Sequence, residues 1–449
     1  MSNLQEFEEA RNYFNLGVSA SRASKWAVAK EYFLRAHYLM PERVSVLENL
    51  AKTLACLGEW QECETYMDRL RARDPKNINL LKIGGLRSAA RGRYDEALTN
   101  YEAVVELGKS CAEDFYNLGR VNIYLGKVTT AIGWFRQALS IDAAHVDSHI
   151  NLAHCLLHNG EWLEGFREYE YRLLVDPTGD SRIHLSRKIM SLPRVLEGKR
   201  ILFLREQGLG DAIQFVRFLP YFERKGAKCI VECHSSLLPL FAENFPTIEF
   251  SETREIFADY VCSLMSIPYL MGAAFEFGYL APYIRAHNVE QDANLFKVRG
   301  RIGLVWRGNP KHANDVNRSI QLAALIPLLS EGLGLLSLQQ HHTEEELSLL
   351  KKFPNVLIVD SFNDFSKTAN FIASLSLIIS VDTSVAHLGA AMGKKVYLLL
   401  PYVPDWRWGG SNQDTPWYPT MTIFRQTEKR SWVTVIESVR AQLGCFSRQ

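Results

Sequence analysis

Gly58, Gly92, Gly126 and Gly160 follow one another at intervals of 34 residues, and Pro41, Pro75 and Pro177 keep the same count, being 34 and three times 34 apart. A fixed period in this range marks a stack of small supersecondary units, none of which buries its apolar face alone. The register runs from Ala10, Val44, Ile78, Ala112 and Val146, so that five units end at Gly179. In each unit a small residue recurs in the second helix: Ala29, Cys63, Ala97, Ala131 and Gly165. A large residue follows it at Phe33, Met67, Tyr101, Phe135 and Tyr169. The first helix carries Leu16-Gly17, Leu50-Ala51, Gly84-Gly85, Leu118-Gly119 and Leu152-Ala153. Small residues let paired helices approach, and the large ones fill the space between neighbours. The third unit departs most, with Lys109 at the proline position.

This helix-turn-helix period resembles the tetratricopeptide repeat (TPR), over residues 10 to 179. The resemblance implies a concave surface that takes a peptide or protein. The other reading is a docking or dimerisation module with no free groove, which leaves a homo-oligomer open.

The chain's 449 residues are enough for about three domains. Net charge is +1, from 51 basic and 50 acidic residues, so nothing in the charge argues for nucleic acid or an anionic membrane as partner. No apolar run approaches the ~20 residues that span a bilayer. The opening "MSNLQEFEEARNYF" is polar and acidic, unlike a secretory signal. Eight scattered cysteines do not form a disulfide framework, which fits a reducing cytoplasm. Cys229, Cys233 and His234 come nearest to a metal pattern, but no second pair stands at zinc-ligand spacing and Cys229 falls in the strand-like "AKCIVEC". They read as buried strand residues, and no metal or cofactor is expected.

After Asp180 the repeat gives way to "SRIHLSRKIMSLPRVLEGK", a linker read over 180–197. Strand-like runs then alternate with helical stretches, the pattern of parallel sheets. "RILFLR", "AKCIVEC" and "ADYVCSL" form a first half over 198–297, with a helix at "DAIQFVRFLPYFERKG". "RIGLVW", "LGLLSLQ", "NVLIVD", "LSLIISV" and "KKVYLLL" form a second over 298–449. The fold class is therefore an all-α solenoid over 1–179, followed by two doubly wound α/β domains facing across a cleft. In such sheets ligands bind at the carboxyl ends of strands, so the residues just after each run are the site candidates.

Four strand ends stand out. "EQGLGDAIQF" puts Gly208, Gly210 and Asp211 where a strand gives way to a helix. "GLVWRGNPKHANDVNRSI" brings Trp306, Arg307, Asn309 and Arg318; an arginine fork suits a diphosphate, and a solvated surface loop is the plain alternative. "LGLLSLQ" ends in Gln339, a candidate for choosing the base of a nucleotide. "SVDTSVAHLGAAMG" ends a strand at Asp382, Thr383 and Ser384 and opens a helix carrying His387. A helix start offers unpaired backbone N–H groups and its dipole to phosphate, while Asp, Ser and Thr also serve there as caps. The later "PDWRWGGSNQDTPWYP" gathers four large aromatics, and its Asp405 and Trp406 join the candidate donor-binding set. Its aromatics either close a small core or stack on a base or sugar.

Taken in order, "GLGDAIQFVRFLP", "GLVWRGNP", "DTSVAHLGAAMGKKVYLLLP" and "PDWRWGGSNQDTPWYP" resemble bacterial TPR-containing glycosyltransferases, whose catalytic region is similar to the heptosyltransferase family of the two-domain GT-B fold. The resemblance covers residues 10 to 443. It implies that Asp211 is the catalytic base, and that Asp382, Thr383, Ser384 and His387 hold the phosphates of a nucleotide-sugar with Arg318. Ser384 stands where those enzymes have glycine, which leaves the donor open. The resemblance further implies metal-independent, inverting transfer to Ser or Thr of a protein such as flagellin, recruited by the TPR array. A lipid or saccharide acceptor and a non-catalytic scaffold are the other readings. Asp211 with Gln214 also reads as a capping-box variant, a structural account of the same acid.

Overall fold

The computed structural model describes residues 3–175, 195–275, 282–287, 295–312, 314–359, 364–410 and 412–446. The linker read over 180–197 lies outside them except for residues 195–197. The chain divides into two compact units, 1–152 and 153–449.

The first unit consists of helix pairs. Its helices are α1 (Asn3–Arg22), α2 (Trp26–Leu39), α3 (Val44–Leu57), α4 (Trp60–Arg73), α5 (Ile78–Ala90), α6 (Tyr94–Glu106), α7 (Ala112–Tyr124) and α8 (Val128–Ile141), and α9 (Val146–His158) begins in it. The periodic glycines end the first helix of each pair. Gly58, Gly92 and Gly126 have φ of 75°, 73° and 75°, the left-handed conformation that stops a helix and that other residues adopt at a cost. Close approach has an equally local cause. A Cβ on Gly85 would lie 2.7 Å from the Tyr101 ring, and one on Gly17 would lie 2.6 Å from Phe33. The small position of one helix is thus filled by the large residue of the next, 16 positions on, which keeps each pair in van der Waals contact.

The second unit opens with the rest of α9 and with α10 (Trp162–Tyr169), which runs into a 3₁₀ turn at Glu170–Leu174. Two parallel sheets follow. The first has strands β1 (Arg200–Leu204), β2 (Lys228–Glu232), β3 (Glu249–Ser251) and β4 (Tyr260–Ser263), in the order β3-β2-β1-β4. The second has β5 (Ile302–Val305), β6 (Leu335–Ser337), β7 (Val356–Ile358), β8 (Leu377–Val381), β9 (Val396–Leu400) and β10 (Met421–Arg425), in the order β10-β9-β8-β5-β6-β7. Every strand pairing in both sheets is parallel. The central runs are apolar on both faces, as a parallel sheet covered by helices requires: β8 and β9 are buried throughout. This is the α plus α/β class expected.

Two strands, β3 and β10, go beyond the runs read from the sequence. The single helix expected over "DAIQFVRFLPYFERKG" is α11 (Leu209–Phe215), a 3₁₀ turn at Val216–Phe218 and a further short helix at Leu219–Glu223. Pro220 sits in the first turn of that last piece, where its missing N–H costs nothing, but it cannot continue the helix before it. Two more helices matter for the site: α12 (Asp315–Arg318) and α13 (Ser384–Ala391).

One core ties this unit together. Ala153, Leu157, Phe166 and Tyr169 of the helical opening share it with Ile201, Phe203, Ile213 and Phe215, and with Trp406 and Trp417 of the aromatic loop. Trp406 packs edge-on to Phe166 at 5.9 Å between centroids and to Trp417 at 6.0 Å, so the loop closes a core. Cys229 and Cys233 are buried, and burial pushes their thiols up to about 12 and about 11. Among the described residues no three His, Cys, Asp or Glu gather at a metal-holding spacing.

Candidate functional site

The strand β1 delivers its chain to a turn at Glu206-Gln207-Gly208 and then to α11. The left-handed residue of that turn is Gln207, at φ 59°, whereas Gly208 has φ −97° and needs no glycine for its backbone. A non-glycine residue held there costs about 1–2 kcal/mol, which its surroundings must offset. Gln207 donates its amide to the Tyr169 hydroxyl at 2.7 Å. Glu206 beside it takes a two-pronged bond from the buried Arg172, at 2.8 and 2.9 Å. Arg172 also reaches Glu170 and Ser266. The turn is therefore anchored on the 3₁₀ segment and on the loop after β4.

Gly210 answers to packing. A Cβ there would lie 2.8 Å from Cδ2 of His387, so its absence lets the start of α11 close onto α13. Each helix follows the carboxyl end of a strand in its own sheet, β1 and β8 respectively. Their starts meet at the kind of strand-end crevice where open α/β sheets bind ligands.

Asp211 stands at this junction with both oxygens engaged. Oδ2 accepts from the Gly208 N–H at 2.8 Å, which caps α11, and Oδ1 accepts from Nη2 of Arg407. Gln214 takes no part in that cap; its side-chain carbonyl accepts from Nε of Arg407 at 2.8 Å. The third edge of the guanidinium goes to Asp405 at 2.8 Å, and the plane lies 4.3 Å from the Trp406 ring centroid. Burial alone would push the Arg407 guanidinium down, but the facing charges of Asp405 and Asp211 outweigh it and raise it. The Asp211 side chain stays 16% exposed, so a ligand hydroxyl has a way in to a carboxylate pinned from two sides.

The second strand end is built around Asp382. Its Oδ2 accepts from the indole of Trp408 at 2.9 Å, its Oδ1 lies 3.7 Å from Nε2 of His387, and its carbonyl accepts from Arg318 at 3.2 Å. Burial on its own would push this carboxyl up, but His387, Trp408 and Arg318 together hold it below the ordinary carboxylate range. Thr383 occupies the cap position of α13 without a side-chain cap bond; its hydroxyl pairs instead with Ser380 at 2.9 Å. Ser384 is the first residue of the helix and half-buried. The start of α13 thus presents N–H groups that no capping side chain takes up, which is what an anion uses. Arg318 is held by Asp315 at 3.2 Å and lies over Gly308, where a Cβ would come within 2.6 Å of it.

The remaining candidates follow β5, the strand next to β8, and β6 beyond it. Trp306 is fully buried and donates to Glu346 at 2.8 Å. Arg307 donates to Glu346 and to the His341 carbonyl, both at 2.9 Å. Gln339 bonds the Arg307 backbone from both ends of its amide, at 3.1 and 3.2 Å. Asn309 accepts from the Lys311 N–H at 3.0 Å, a local turn. These contacts lace the ends of β5 and β6 to the helix at Glu344–Leu350. The structure thus gathers Gly208, Gly210, Asp211, Arg318, Asp382, Thr383, Ser384, His387, Asp405 and Trp406 around the junction, with Trp306, Arg307 and Asn309 at the end of β5, the strand next to β8, where Arg318 lies over Gly308, and Gln339 beyond them at the end of β6. Arg407 and Trp408, which join Asp211 and Asp382 to the aromatic loop, were absent from the sequence-read set. Their signal was there, since both lie inside "PDWRW".

The tetratricopeptide repeat family matches residues 85–146. Protein FlbA of Caulobacter vibrioides is 23% identical over 468 aligned positions, which cover 96% of this chain and 78% of that protein. Among solved structures, TTC0263, a thermophilic TPR protein of Thermus thermophilus, is 22% identical with a TM-score of 0.33, over 39% of this chain and 95% of its own. PilF of Pseudomonas aeruginosa is 20% identical with a TM-score of 0.33, over 40% of this chain and 82% of its own. The chain carries tetratricopeptide repeats, and it has a bacterial relative along nearly its whole length. No described helix is long and apolar enough to cross a membrane.

Proposed function

We propose that the α/β unit is a glycosyltransferase that moves a sugar from a nucleotide-sugar to Ser or Thr of a protein, flagellin or one like it, and that the repeat array recruits this acceptor in the cytoplasm. The observation that carries the reading is the meeting of two helix starts, with Gly210 of α11 against His387 of α13. It puts an accessible carboxylate beside an anion-receptive helix end. In the reaction Asp211 takes the proton of the acceptor hydroxyl while that oxygen bonds to the anomeric carbon. The bond from that carbon to the phosphate oxygen breaks, and its electron pair leaves on the nucleotide. The developing charge is met by the start of α13, by the Thr383 and Ser384 hydroxyls, and by Arg318. Direct attack inverts the anomeric centre. In this account no metal takes part.

The protein-acceptor part is tested by incubating the full chain with flagellin and radiolabelled UDP-, GDP-, ADP- and CMP-sugars. The expected result is label in flagellin that alkaline elimination releases, as a Ser- or Thr-linked sugar is released. Label that reaches only lipid or saccharide, with none in protein, contradicts it.

A further inference from the structure

The first sheet has its strands in the order β3-β2-β1-β4, so the chain steps from β1 to one side and returns with β4 on the other. The crevice beyond the carboxyl ends of β1 and β4 is the switch point at which an open α/β sheet takes a ligand. Here the chain's own helical opening reaches into it. Arg172, in the 3₁₀ turn after α10, grips Glu206 beyond β1 and donates to the Ser266 hydroxyl beyond β4 at 2.9 Å. Another of its nitrogens goes to Glu170 at 2.8 Å, and the guanidinium carbon lies 4.4 Å from the Tyr169 ring centroid. Arg172 and Tyr169 are both buried.

One bond from this group reaches further. The Tyr169 hydroxyl accepts from the Gln207 amide at 2.7 Å, and Gln207 is left-handed, at φ 59°. An L residue leaves that region readily, because its Cβ crowds the following carbonyl. The peptide that joins Gln207 to Gly208 turns with it, and the N–H on that peptide is the one Asp211 accepts through Oδ2 at 2.8 Å. Once released, the peptide turns away, and of these two bonds Asp211 keeps the one from Arg407. We infer that Tyr169 is a positioning residue for Asp211: through Gln207 it keeps the Gly208 N–H on one carboxylate oxygen and so fixes the plane of the carboxylate.

The Tyr169 ring also packs 5.9 Å from that of Trp406, which underlies Arg407. Loss of the hydroxyl alone leaves the ring contacts in place, so Tyr169→Phe addresses the bond to Gln207. That the fixed carboxylate serves proton transfer rests on the glycosyltransferase reading; the hydrogen bond itself does not. On that reading kcat falls by up to about 10²-fold, the worth of a small displacement of a reacting group. KM for the nucleotide-sugar stays, since Arg318, Asp382 and the start of α13 are untouched.

The test is amide NMR of the full chain labelled with ¹⁵N-glycine, without nucleotide, with the Gly208 signal assigned by its loss in Gly208→Ala. An N–H given to a carboxylate resonates downfield of ordinary amides, and Gly208 is expected there in the unaltered chain. In Tyr169→Phe and in Gln207→Ala it is expected to return to the ordinary range. Tyr169→Phe combined with Gln207→Gly is expected to restore the displacement, because glycine takes the left-handed conformation without help. An undisplaced signal in the unaltered chain, or one that stays displaced in either single variant, overturns the inference. Gln207 is exposed, so its substitution reports even where Tyr169→Phe fails to fold. A double variant left in the ordinary range, with the other glycine signals in place, overturns the route through Gln207. Initial rates of the same preparations give the split between kcat and KM, and a raised KM with kcat unchanged overturns the positioning role. If the unaltered chain transfers no sugar, the glycosyltransferase reading fails, and the glycine signals still decide the bond.

Discussion

Asp211→Asn is expected to keep the fold and nucleotide binding while lowering sugar transfer by about 10²–10⁴-fold, the usual worth of a positioned general base. The substitution is nearly isosteric, so local packing is preserved. Its carbonyl oxygen can still accept one of the two bonds the carboxylate now takes from Gly208 and Arg407. The amide nitrogen then faces the other donor, and that bond is lost at about 1–2 kcal/mol. What disappears entirely is the ability to take a proton from a hydroxyl. Initial rates of transfer, set beside thermal unfolding of the same preparations, separate the two effects. A variant that turns over at the original rate would leave Asp211 as only a cap and a pin for Arg407.

The largest loss of stability is expected from Arg407→Met. Methionine fills much of the volume but removes every donor that Asp211, Asp405 and Gln214 share. Breaking a buried ion pair from one side costs about 3–5 kcal/mol, because the remaining charge stays desolvated. Asp405 is 38% exposed and recovers water readily, so the low end of that range, about 3 kcal/mol, is expected. Denaturant unfolding followed by tryptophan fluorescence reads this directly, since Trp406 and Trp408 flank the substituted position. Adding Asp211→Asn should then cost less than it does alone, since the charge it removes has already lost its partner. Fully additive losses would mean that Arg407 and Asp211 do not depend on one another.

The repeats were legible because their cause is local. Gly58 stops α3 by its own backbone, and Gly85 meets Tyr101 only 16 positions on. The central strands were legible for a related reason: β8 and β9 are apolar on both faces, and runs such as "LIISV" and "VYLLL" show it. β3 and β10 were not, because each lies at the edge of its sheet and needs only one paired side. "EFS" is too short and too polar to stand out, and "MTIFR" is broken by the polar, half-buried Thr422 and Arg425.

The site divides along the same line. Asp211, Asp382 and His387 follow strands whose ends the sequence marks, and they do come together. Trp306, Arg307 and Gln339 also follow strand ends, yet most of their bonds go to Glu346 and to each other. A strand end says where a residue begins its reach and is silent on what it meets. Arg407 shows the limit most clearly, since its partner Asp211 is 196 positions away, and only the folded chain pairs them. The turn before α11 is a further case. Its two glycines invite a backbone explanation, but the left-handed residue is Gln207, held by Tyr169 and flanked by the Arg172–Glu206 pair.

Binding of a nucleotide-sugar at the meeting of α11 and α13 is read by thermal unfolding of the full chain with UDP, GDP, ADP and CMP and their sugars. A nucleotide present at ~100 times its dissociation constant should stabilise the protein by about 2.7 kcal/mol. One nucleotide class is expected to do so, and Arg318→Ala is expected to remove most of the shift. No shift with any member of the panel would contradict binding there.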